Sequence, residues 1–269
     1  MSRTYAVTGV ASGIGARLVD VLKSQGHAVV GYDLQDPHGL VDHFIALDLA
    51  DPGAIAAAAA RTPVKLDGLC NNAGLPPRAG LEAAILQVNF QGSRAFTEAM
   101  LPHLIPGASI VNMASRAGHG WRENLAQVKR LAALTRPDQL PRFVSDEGID
   151  AKRCYNLSKE AVIVWSVAMA ERMVGQGLRI NSLSPGGVET GILDDFKRAF
   201  GDAMARNVAR AGRPGRPGEI ARIAAFVLSP DSHWLKGEDI AIDGGMGAFN
   251  MSDQLGLGVM CPGRPDAGS

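Results

Sequence analysis

The sequence predicts an α/β fold in which one parallel sheet is covered by helices on both faces. Short apolar runs alternate with segments of helical period along the chain, and such runs are typical of strands buried on both sides. The 32 glycines among 269 residues are about twice the average usage and indicate Gly-rich loops. With 27 basic and 27 acidic side chains and 46% hydrophobic residues, the composition argues against disorder, nucleic-acid binding and membrane binding.

The predicted elements follow one another as strand and helix. Strands are predicted at residues 5–8, 28–33, 44–49, 66–70, 109–114, 179–183 and 240–242, and helices at 18–26, from 55 onward, and at 81–104, 155–173 and 220–228. We therefore expect one domain over residues 1–255, followed by a flexible Gly/Pro-rich tail at 256–269.

Cysteine and histidine usage predicts no disulfide framework and no metal site. The three cysteines form no C-x-x-C pair, and the six histidines lack metal-ligand spacing. No signal-peptide h-region and no bilayer-length apolar stretch is found, so we expect a cytoplasmic protein.

The first strand runs into a glycine-rich turn and then a helix. Gly9, Gly13 and Gly15, with Ser12 and Ile14 between them, leave the backbone N–H groups of a helix N-terminus open to a pyrophosphate, although an ordinary βα turn would share the pattern. Asp33 ends the next strand 18 residues after Gly15, where a carboxylate can bind the adenosine ribose and repel a 2′-phosphate. This Rossmann-type arrangement predicts NAD, in preference to NADP.

Tyr155 and Lys159 lie four residues apart on a predicted helix. The i, i+4 spacing places both side chains on one face, and a nearby ammonium favours the phenolate form of a tyrosine. A pair on the helix surface is the alternative. Ser115 ends a predicted parallel strand, at the sheet edge where open α/β sheets bind ligands.

Taken together, these motifs resemble the short-chain dehydrogenase/reductase family. The resemblance is carried in order by residues 8–15, Asp48-Leu49, residues 71–74, Asn89, Ser115, Tyr155 with Lys159, residues 185–190 and residues 242–245. It implies a catalytic tetrad of Asn89, Ser115, Tyr155 and Lys159. It also implies that the cofactor is contacted by Asp48, Leu49, Asn72, Ala73, Gly74, Pro185, Gly186, Val188 and Thr190, in addition to the Gly turn and Asp33.

The implied reaction interconverts an alcohol and a carbonyl compound by hydride transfer, without a metal. Tyr155 exchanges the proton, Ser115 holds the substrate oxygen, Lys159 lowers the pKa of Tyr155 and binds the ribose, and Asn89 organises a water in the proton path.

A segment of about residues 117–153 separates Ser115 from Tyr155 and is longer than is usual in the family. Its apolar residues recur at helical spacing and Pro137 and Pro141 then interrupt them, which predicts a helix, a turn and room for a second short helix. This insertion resembles the bacterial 3α-hydroxysteroid dehydrogenase/carbonyl reductase branch.

The apolar residues expected to form the pocket predict a small hydrophobic alcohol or ketone as substrate. They are Ile192, Leu193, Phe196, Phe200, Met204, Trp121, Met246 and Phe249. A steroid-type secondary alcohol is the favoured substrate, and a smaller monocyclic, terpenoid or aryl alcohol is the alternative. Arg116, Lys197 and Arg198 leave open the binding of a carboxylate or phosphate.

Two other functions share parts of this pattern, namely a non-catalytic NAD-binding regulator and an epimerase or dehydratase of the extended type. The complete Tyr/Lys set and the Gly spacing disfavour both. The Arg-rich stretch 206–222 is interpreted as a solvated helix and loop because acidic residues surround it.

We expect a homodimer through the segments 220–228 and 240–242, with a tetramer as the alternative.

Overall fold

Seven parallel strands form one sheet in a computed structural model that describes residues 2–260, apart from the side chain of Ala203. The strands are β1 (Thr4–Thr8), β2 (Ala28–Asp33), β3 (His43–Ala46), β4 (Leu66–Asn71), β5 (Leu104–Met113), β6 (Arg179–Pro185) and β7 (Asp239–Ile242). Their spatial order is β3-β2-β1-β4-β5-β6-β7, and every neighbouring pair is parallel. The predicted single-domain, doubly wound α/β fold is confirmed.

The helices that connect these strands lie on both faces of the sheet. They are α1 (Gly13–Ser24), α2 (Pro52–Ala60), α3 (Glu82–Leu86), α4 (Ser93–Met100), α5 (Leu125–Ala133), α6 (Leu140–Glu147), α7 (Ala151–Gly175), α8 (Leu193–Ala211), α9 (Pro217–Leu228) and α10 (Met246–Gln254). Short 3₁₀ turns occupy Leu101–His103, Arg116–Trp121, Pro137–Gln139, Pro230–Ser232 and Leu257–Met260. Among residues 2–260, no helix is long and apolar enough to cross a bilayer.

The strand order reverses between β1 and β4, which are adjacent in the sheet although β2 and β3 intervene in the chain. The connections after β1 and β4 therefore leave the sheet in opposite directions and open a crevice at the carboxyl ends of the strands. Apolar residues of α1 and α9 pack on one face of the sheet, and those of α2, α4 and α7 on the other. This packing fixes the edge where the predicted site residues lie.

The prediction of one long helix at residues 81–104 is wrong. Its residues form α3, a π-helical turn at Gln87–Gly92, α4 and a 3₁₀ turn. At Gly92 the backbone lies so close to the loop after β3 that an added Cβ would stand 2.1 Å from the Leu49 carbonyl oxygen. The π turn carries Asn89, and such turns frequently occur at functional sites.

The strand predicted at residues 44–49 ends earlier, at Ala46. The Leu47 N–H still donates to the Asp33 carbonyl oxygen at 2.9 Å, but the Asp48 carboxylate then accepts the Ala50 N–H at 2.8 Å and turns the chain. Leu47, Asp48 and Leu49 thereby leave the sheet and reach the crevice.

The insertion forms two helices, as predicted, which are α5 and α6. Hydrogen bonds join it to a buried ion pair within α7: the Arg153 guanidinium binds both oxygens of Glu160 at 2.8 and 2.6 Å, Arg153 also donates to the Gln127 amide oxygen at 2.7 Å, and Asn124 donates to Glu160 at 2.9 Å. Glu160 is 1% exposed. The insertion is thus fixed to the helix that carries Tyr155 and Lys159.

The periodicity of the sequence does not predict α10 or the first part of α8. Gly201 stands inside α8 with φ +50°, and Gly247 lies in the first turn of α10, so both segments look unlike helices in sequence. The tail predicted at 256–269 begins with the 3₁₀ turn Leu257–Met260, and residues 261–269, with Cys261, lie outside the described residues.

Candidate active site

A cavity of about 610 Å³ opens at the carboxyl edge of the sheet, across the point where the strand order reverses. It is lined by residues from the loops after β1, β2, β3, β4, β5 and β6 and from α7, α8 and α10. The predicted site residues that line it are Gly9, Ser12, Gly13, Ile14, Asp33, Asp48, Leu49, Asn72, Ala73, Gly74, Ser115, Tyr155, Lys159, Pro185, Gly186, Val188 and Thr190. Gly15 and Asn89 do not line it.

The Gly turn after β1 is packed directly against the loop after β4. A Cβ on Gly9, where φ is +72°, would stand 2.9 Å from the Ala73 Cα, and a Cβ on Gly15 would stand 1.9 Å from the Gly9 carbonyl oxygen. The Asn72 side-chain amide donates to the carbonyl oxygens of Thr8 and Gly9 at 3.1 and 3.2 Å. Gly15 therefore closes the turn through packing, while Gly9 and Gly13 face the cavity.

The segment after β6 faces the Gly turn across the cavity. Gly186 donates its N–H to the Ile242 carbonyl oxygen at 3.0 Å, which holds the start of the segment on β7. A Cβ on Gly13 would stand 3.5 Å from the Thr190 Cγ2 atom. The two loops thus leave a narrow passage between them that a side chain at residue 13 would fill.

Asp33 lies at one end of the cavity, at the end of β2. Its two carboxylate oxygens accept the N–H groups of Ala11 and Gln35 at 2.9 and 3.1 Å. These bonds fix the carboxylate beside the Gly turn. Tyr32, Leu34, Leu47, Asp48 and Leu49 complete this end of the cavity, which contains no Lys or Arg among its lining residues.

Ser115 and Tyr155 meet at the inner part of the cavity. Ser115 ends β5 and begins a 3₁₀ turn, where its hydroxyl oxygen accepts the Ala117 N–H at 3.1 Å. The same hydroxyl hydrogen-bonds the Tyr155 phenol, which is 6% exposed. The two hydroxyl groups predicted to bind one substrate oxygen are therefore adjacent.

Burial controls the proton affinity of both Tyr155 and Lys159. Burial raises the pKa of Tyr155 to about 12, and the hydrogen bond from Ser115 opposes that rise. Burial also lowers the pKa of Lys159 to about 8. Desolvation of the phenol therefore decides the net direction of the Tyr155 shift, which the helical spacing could not show, and the lowering of this pKa by Lys159 stays a prediction.

Lys159 is held beside Tyr155 by the backbone of β5. Its ammonium donates to the Met113 carbonyl oxygen at 2.8 Å and lies 5.7 Å from the centroid of the Tyr155 ring. The backbone of the turn after Ser115 packs on the same helix turn, since a Cβ on Gly118 would stand 2.7 Å from the Lys159 carbonyl carbon. Ser115, Tyr155 and Lys159 are thus fixed relative to one another.

Aromatic rings from α8 cover the side of Tyr155 that faces the cavity. The rings of Phe196 and Phe200 lie edge-on to the Tyr155 ring, with centroids 5.2 and 6.4 Å away. Ile192, Met204 and Met246 line the same part of the cavity. This end is therefore apolar around the paired hydroxyls.

Comparison with known proteins gives the family. A family model described as short chain dehydrogenase matches residues 3–126, and one described as enoyl-(acyl carrier protein) reductase matches residues 142–247. A coniferyl-alcohol dehydrogenase of Pseudomonas sp. (strain HR199 / DSM 7063) is 36% identical over 91% of this chain and 96% of its own length. The chain belongs to the short-chain dehydrogenase/reductase family.

Two hydroxysteroid enzymes in this family are also similar to the chain. The 3-alpha-hydroxysteroid dehydrogenase/carbonyl reductase of Comamonas testosteroni is 29% identical over 93% of this chain and 98% of its own length. The crystal structure of the 3-alpha-hydroxysteroid dehydrogenase from Pseudomonas sp. B-0831, complexed with NADH, superposes with a TM-score of 0.81 at 31% identity, covering 93% of this chain and 98% of that one. The predicted branch of the short-chain dehydrogenase/reductase family is thereby confirmed.

Asn89 stands behind the cavity wall of this short-chain dehydrogenase/reductase. Its carboxamide accepts the Leu75 N–H at 2.7 Å and donates to the Leu75 carbonyl oxygen at 3.0 Å and the Ser158 hydroxyl at 3.2 Å. Ser158 in turn donates to the Tyr155 carbonyl oxygen at 2.7 Å. Asn89 thus links the loop after β4 to the helix turn that carries Tyr155.

Three residues of the predicted pocket wall do not line the cavity. Trp121 packs on the insertion core, Phe249 lies under the Arg210 guanidinium, and Leu193 begins α8 outside the lining set. Two polar residues that the sequence analysis missed, Asn207 and Asn250, line the cavity instead. No sequence signal marks them, because their positions depend on how α8 and α10 pack together.

Arg116 follows Ser115 and lines the cavity, but its charge is paired. The Nε atom lies 3.0 Å from Asp243 Oδ2, and the guanidinium also contacts His119. The Asp243 carboxylate accepts the N–H groups of Gly245 and Gly247, and so ties Arg116 to the start of α10. Arg116 is therefore neutralised within the chain.

The start of α8 is attached to the loop after β4 by a second ion pair. Arg78 lies 2.8 Å from Asp195, and Arg198 contacts the same carboxylate. Asp195 is 6% exposed, whereas the Arg78 side chain is 59% exposed. Arg78 was not predicted as a site residue, and no motif in the sequence marks it.

Proposed function

We propose that the protein is an NAD(H)-dependent oxidoreductase that interconverts a hydrophobic cyclic or aromatic alcohol and its carbonyl compound. The observation that carries this proposal is the pairing of the Ser115 and Tyr155 hydroxyls beside Lys159, under an apolar wall. The likeness to a coniferyl-alcohol dehydrogenase and to 3-alpha-hydroxysteroid dehydrogenases supports it.

The residues of the cavity fit a dinucleotide. The narrow passage between Gly13 and Thr190 leaves space that a side chain at residue 13 would fill, and the N-terminus of α1 directs its N–H groups there. Asp33 would bind the adenosine ribose hydroxyls, while Asp48 and Leu49 would flank the adenine. The rest of the dinucleotide would be held by Asn72, Ala73, Gly74, Pro185, Gly186 and Val188.

The preference for NAD over NADP follows from charge. Asp33 is a fixed carboxylate, and the lining residues around it include no cation that would offset its repulsion of a 2′-phosphate. A like charge held close to the ribose disfavours the phosphorylated cofactor. The dehydrogenase therefore uses NAD(H).

The bound dinucleotide supplies the hydride acceptor or donor. Tyr155 holds the proton that balances the hydride: its phenol donates to the substrate oxygen during reduction, and its phenolate accepts the proton of the alcohol during oxidation. Ser115 orients that oxygen by a hydrogen bond. Because burial raises the pKa of Tyr155 to about 12, the phenol is the dominant form at neutral pH, and oxidation becomes faster in alkaline solution.

The substrate is uncharged at the reacting end. Phe196 and Phe200 cover Tyr155, and the nearest guanidinium in the lining, that of Arg116, is neutralised by Asp243. Binding a carboxylate or phosphate there would require breaking this pair. An aromatic or alicyclic ring fits the two phenylalanines through edge and face contacts.

Steady-state oxidation with NAD at alkaline pH tests the proposal. The panel contains cinnamyl-type aryl alcohols, steroid 3-alcohols, terpenoid alcohols and 3-hydroxyacyl compounds. We expect turnover of aryl or steroid alcohols. Whichever of these two classes has the higher kcat/KM identifies the ring system of the substrate. Activity confined to charged acyl substrates, or a preference for NADP, would overturn the proposal.

A further inference from the structure

Two side-chain amides stand unpaired in the otherwise apolar end of the cavity. Asn207 on α8 and Asn250 on α10 both line it and are half-buried. Within residues 2–260, neither side-chain amide forms a hydrogen bond with another residue, whereas the other polar residues of this end are engaged: Ser115 with Tyr155 and Arg116 with Asp243. A half-buried amide without a protein partner is available to a ligand.

The two amides lie beyond the rings that contact Tyr155. Along α8 the lining residues follow in the order Phe196, Phe200, Met204 and Asn207, and the rings of the first two contact the Tyr155 ring. On α10, Asn250 follows the lining residue Met246 by four positions, about one helical turn. Asn207 therefore follows the two phenylalanines along α8, beyond the kink at Gly201, and Asn250 lies on a different helix from the rings that contact Tyr155.

An ion pair holds the helix turns that carry the two amides together. Arg210 lies 2.6 Å from Asp253, and its guanidinium stands 5.1 Å from the centroid of the Phe249 ring. Arg210 follows Asn207 by three residues, and Asp253 follows Asn250 by three residues, so each partner lies one turn from an amide on its own helix. The contact between α8 and α10 thus fixes the two amides on one cavity.

We propose that Asn207 and Asn250 bind a second oxygen atom of the substrate, such as a phenol hydroxyl, methoxy or ketone oxygen, on the part of the ring system remote from the reacting carbon. A carboxamide both donates and accepts, so each can bind a hydroxyl or a carbonyl oxygen. The inference rests on the proposed function and adds to it that the substrate is an oxygenated ring compound, polar at both ends and apolar between.

Matched pairs of compounds that differ only in the distal oxygen test the inference. One arm compares 4-hydroxycinnamyl alcohol with cinnamyl alcohol, and the other compares a 3-hydroxysteroid carrying a 17-ketone with the same steroid lacking it. We expect kcat/KM in the preferred arm to be roughly tenfold higher for the oxygenated compound, because its absence leaves the amides unpaired. Asn207→Leu and Asn250→Leu should bring this ratio close to one.

The control is Arg206→Leu, which makes the same polar-to-leucine change on an exposed residue of α8 that does not line the cavity. It should keep the native ratio. A native ratio close to one, or a ratio unchanged in both asparagine variants, would overturn the inference.

Binding measurements separate this inference from the proposed function. Calorimetric titration of the NADH-loaded protein with each pair of compounds gives the same ratio without turnover. Selective binding that the asparagine variants abolish, together with absent turnover of every compound, would contradict the proposed function alone. Turnover without selectivity would contradict the inference alone.

Discussion

The two ends of the cavity are lined by different parts of the chain. At the end near Asp33, the Gly turn and residues of the loops after β2 and β3 form the surface, and the loops after β1 and β4 are joined by the hydrogen bonds of Asn72. At the end near Phe196, side chains of α8 and α10 form the surface, and these helices are attached through the ion pairs Arg78–Asp195 and Arg210–Asp253. The first end tolerates few substitutions, whereas the second can change its ligand by changing side chains.

Tyr155 lies where the two ends meet, and its removal should have the largest effect. Tyr155→Phe keeps the ring that Phe196 and Phe200 contact but removes the proton donor. We expect kcat to fall about 10³-fold, while the dissociation constant of NADH, measured by fluorescence titration, stays within about threefold because the Gly turn, Asp33 and Lys159 are unchanged. Near-normal turnover would place the acid/base elsewhere.

The buried ion pair within α7, to which the insertion is hydrogen-bonded through Asn124 and Gln127, should dominate stability on the substrate side. Glu160→Ala leaves the Arg153 guanidinium without its carboxylate in a partly buried position. We expect the free energy of unfolding in urea to fall by about 3 kcal/mol. The control is Asp146→Ala, which breaks the exposed Arg142–Asp146 pair and should cost less than about 0.5 kcal/mol. Equal effects would show that the buried pair stabilises the fold no more than an exposed pair does.

Asp33→Asn removes a negative charge at the cofactor end of the cavity with little change in the shape of the side chain. The amide oxygen can still accept one of the two N–H groups that the carboxylate binds, and the repulsion of a 2′-phosphate is lost. We expect the ratio of kcat/KM for NADH to that for NADPH to fall roughly tenfold. Asp36→Asn, in the exposed loop that follows, should leave the ratio unchanged. An unaltered ratio for Asp33→Asn would contradict the claim that Asp33 determines the preference for NADH over NADPH.

The hydrogen bond from Ser115 sets the pH dependence of Tyr155. Oxidation requires the phenolate, and since burial raises the pKa of Tyr155 to about 12, the phenolate fraction increases about tenfold for each pH unit below that value. kcat/KM for the alcohol should therefore rise with pH from 7 to 10. Ser115→Ala removes the one contact that lowers this pKa, so its ascending limb should move to higher pH, by about one unit. A shift to lower pH would contradict this assignment.

The smallest effect is expected at the ion pair that holds the start of α8. Arg78→Ala removes a partner of Asp195, but Arg198 continues to bind the same carboxylate. We expect KM for the alcohol to rise about threefold, with kcat unchanged, since Arg78 itself is exposed and such an ion pair contributes less than about 1 kcal/mol. Arg17→Ala, which breaks an exposed pair on α1, is the matched control. A change in NADH binding without a change in KM for the alcohol would mean that Arg78 supports the end of the cavity near Asp33.

The same contrast explains how much the sequence could predict. Gly9 was predictable because a tight turn into a helix N-terminus requires glycine there, Asp33 because it ends the next strand at the expected distance, and Asn72 because the resemblance to the family implied it. Asn207 and Asn250 were not, because they meet the cavity only through the packing of α8 and α10. Arg78 was not, because its contact with Asp195 depends on how the start of α8 packs on the loop after β4. Trp121 was wrongly placed in the pocket for the same reason.

The pKa of Tyr155 shows the limit of spacing as a guide. The i, i+4 relation with Lys159 correctly placed both side chains at one site, and the structure holds the ammonium 5.7 Å from the centroid of the phenol ring. Spacing contains no information on solvent exposure, and desolvation dominates the proton affinity of both groups. Likewise, the strand predicted at 44–49 ended early because the Asp48 side chain, not apolar periodicity, turns the chain.

Isotope transfer from labelled cofactor tests the central claim most directly. The protein is supplied with NADH carrying deuterium at both C4 positions and with the ketone or aldehyde of the preferred aryl or steroid alcohol, and the product is examined by mass spectrometry and NMR. The account predicts one deuterium on the carbinol carbon of the alcohol, with the hydroxyl proton drawn from solvent through Tyr155. Product alcohol without deuterium on that carbon, or no product alcohol at all, would contradict it.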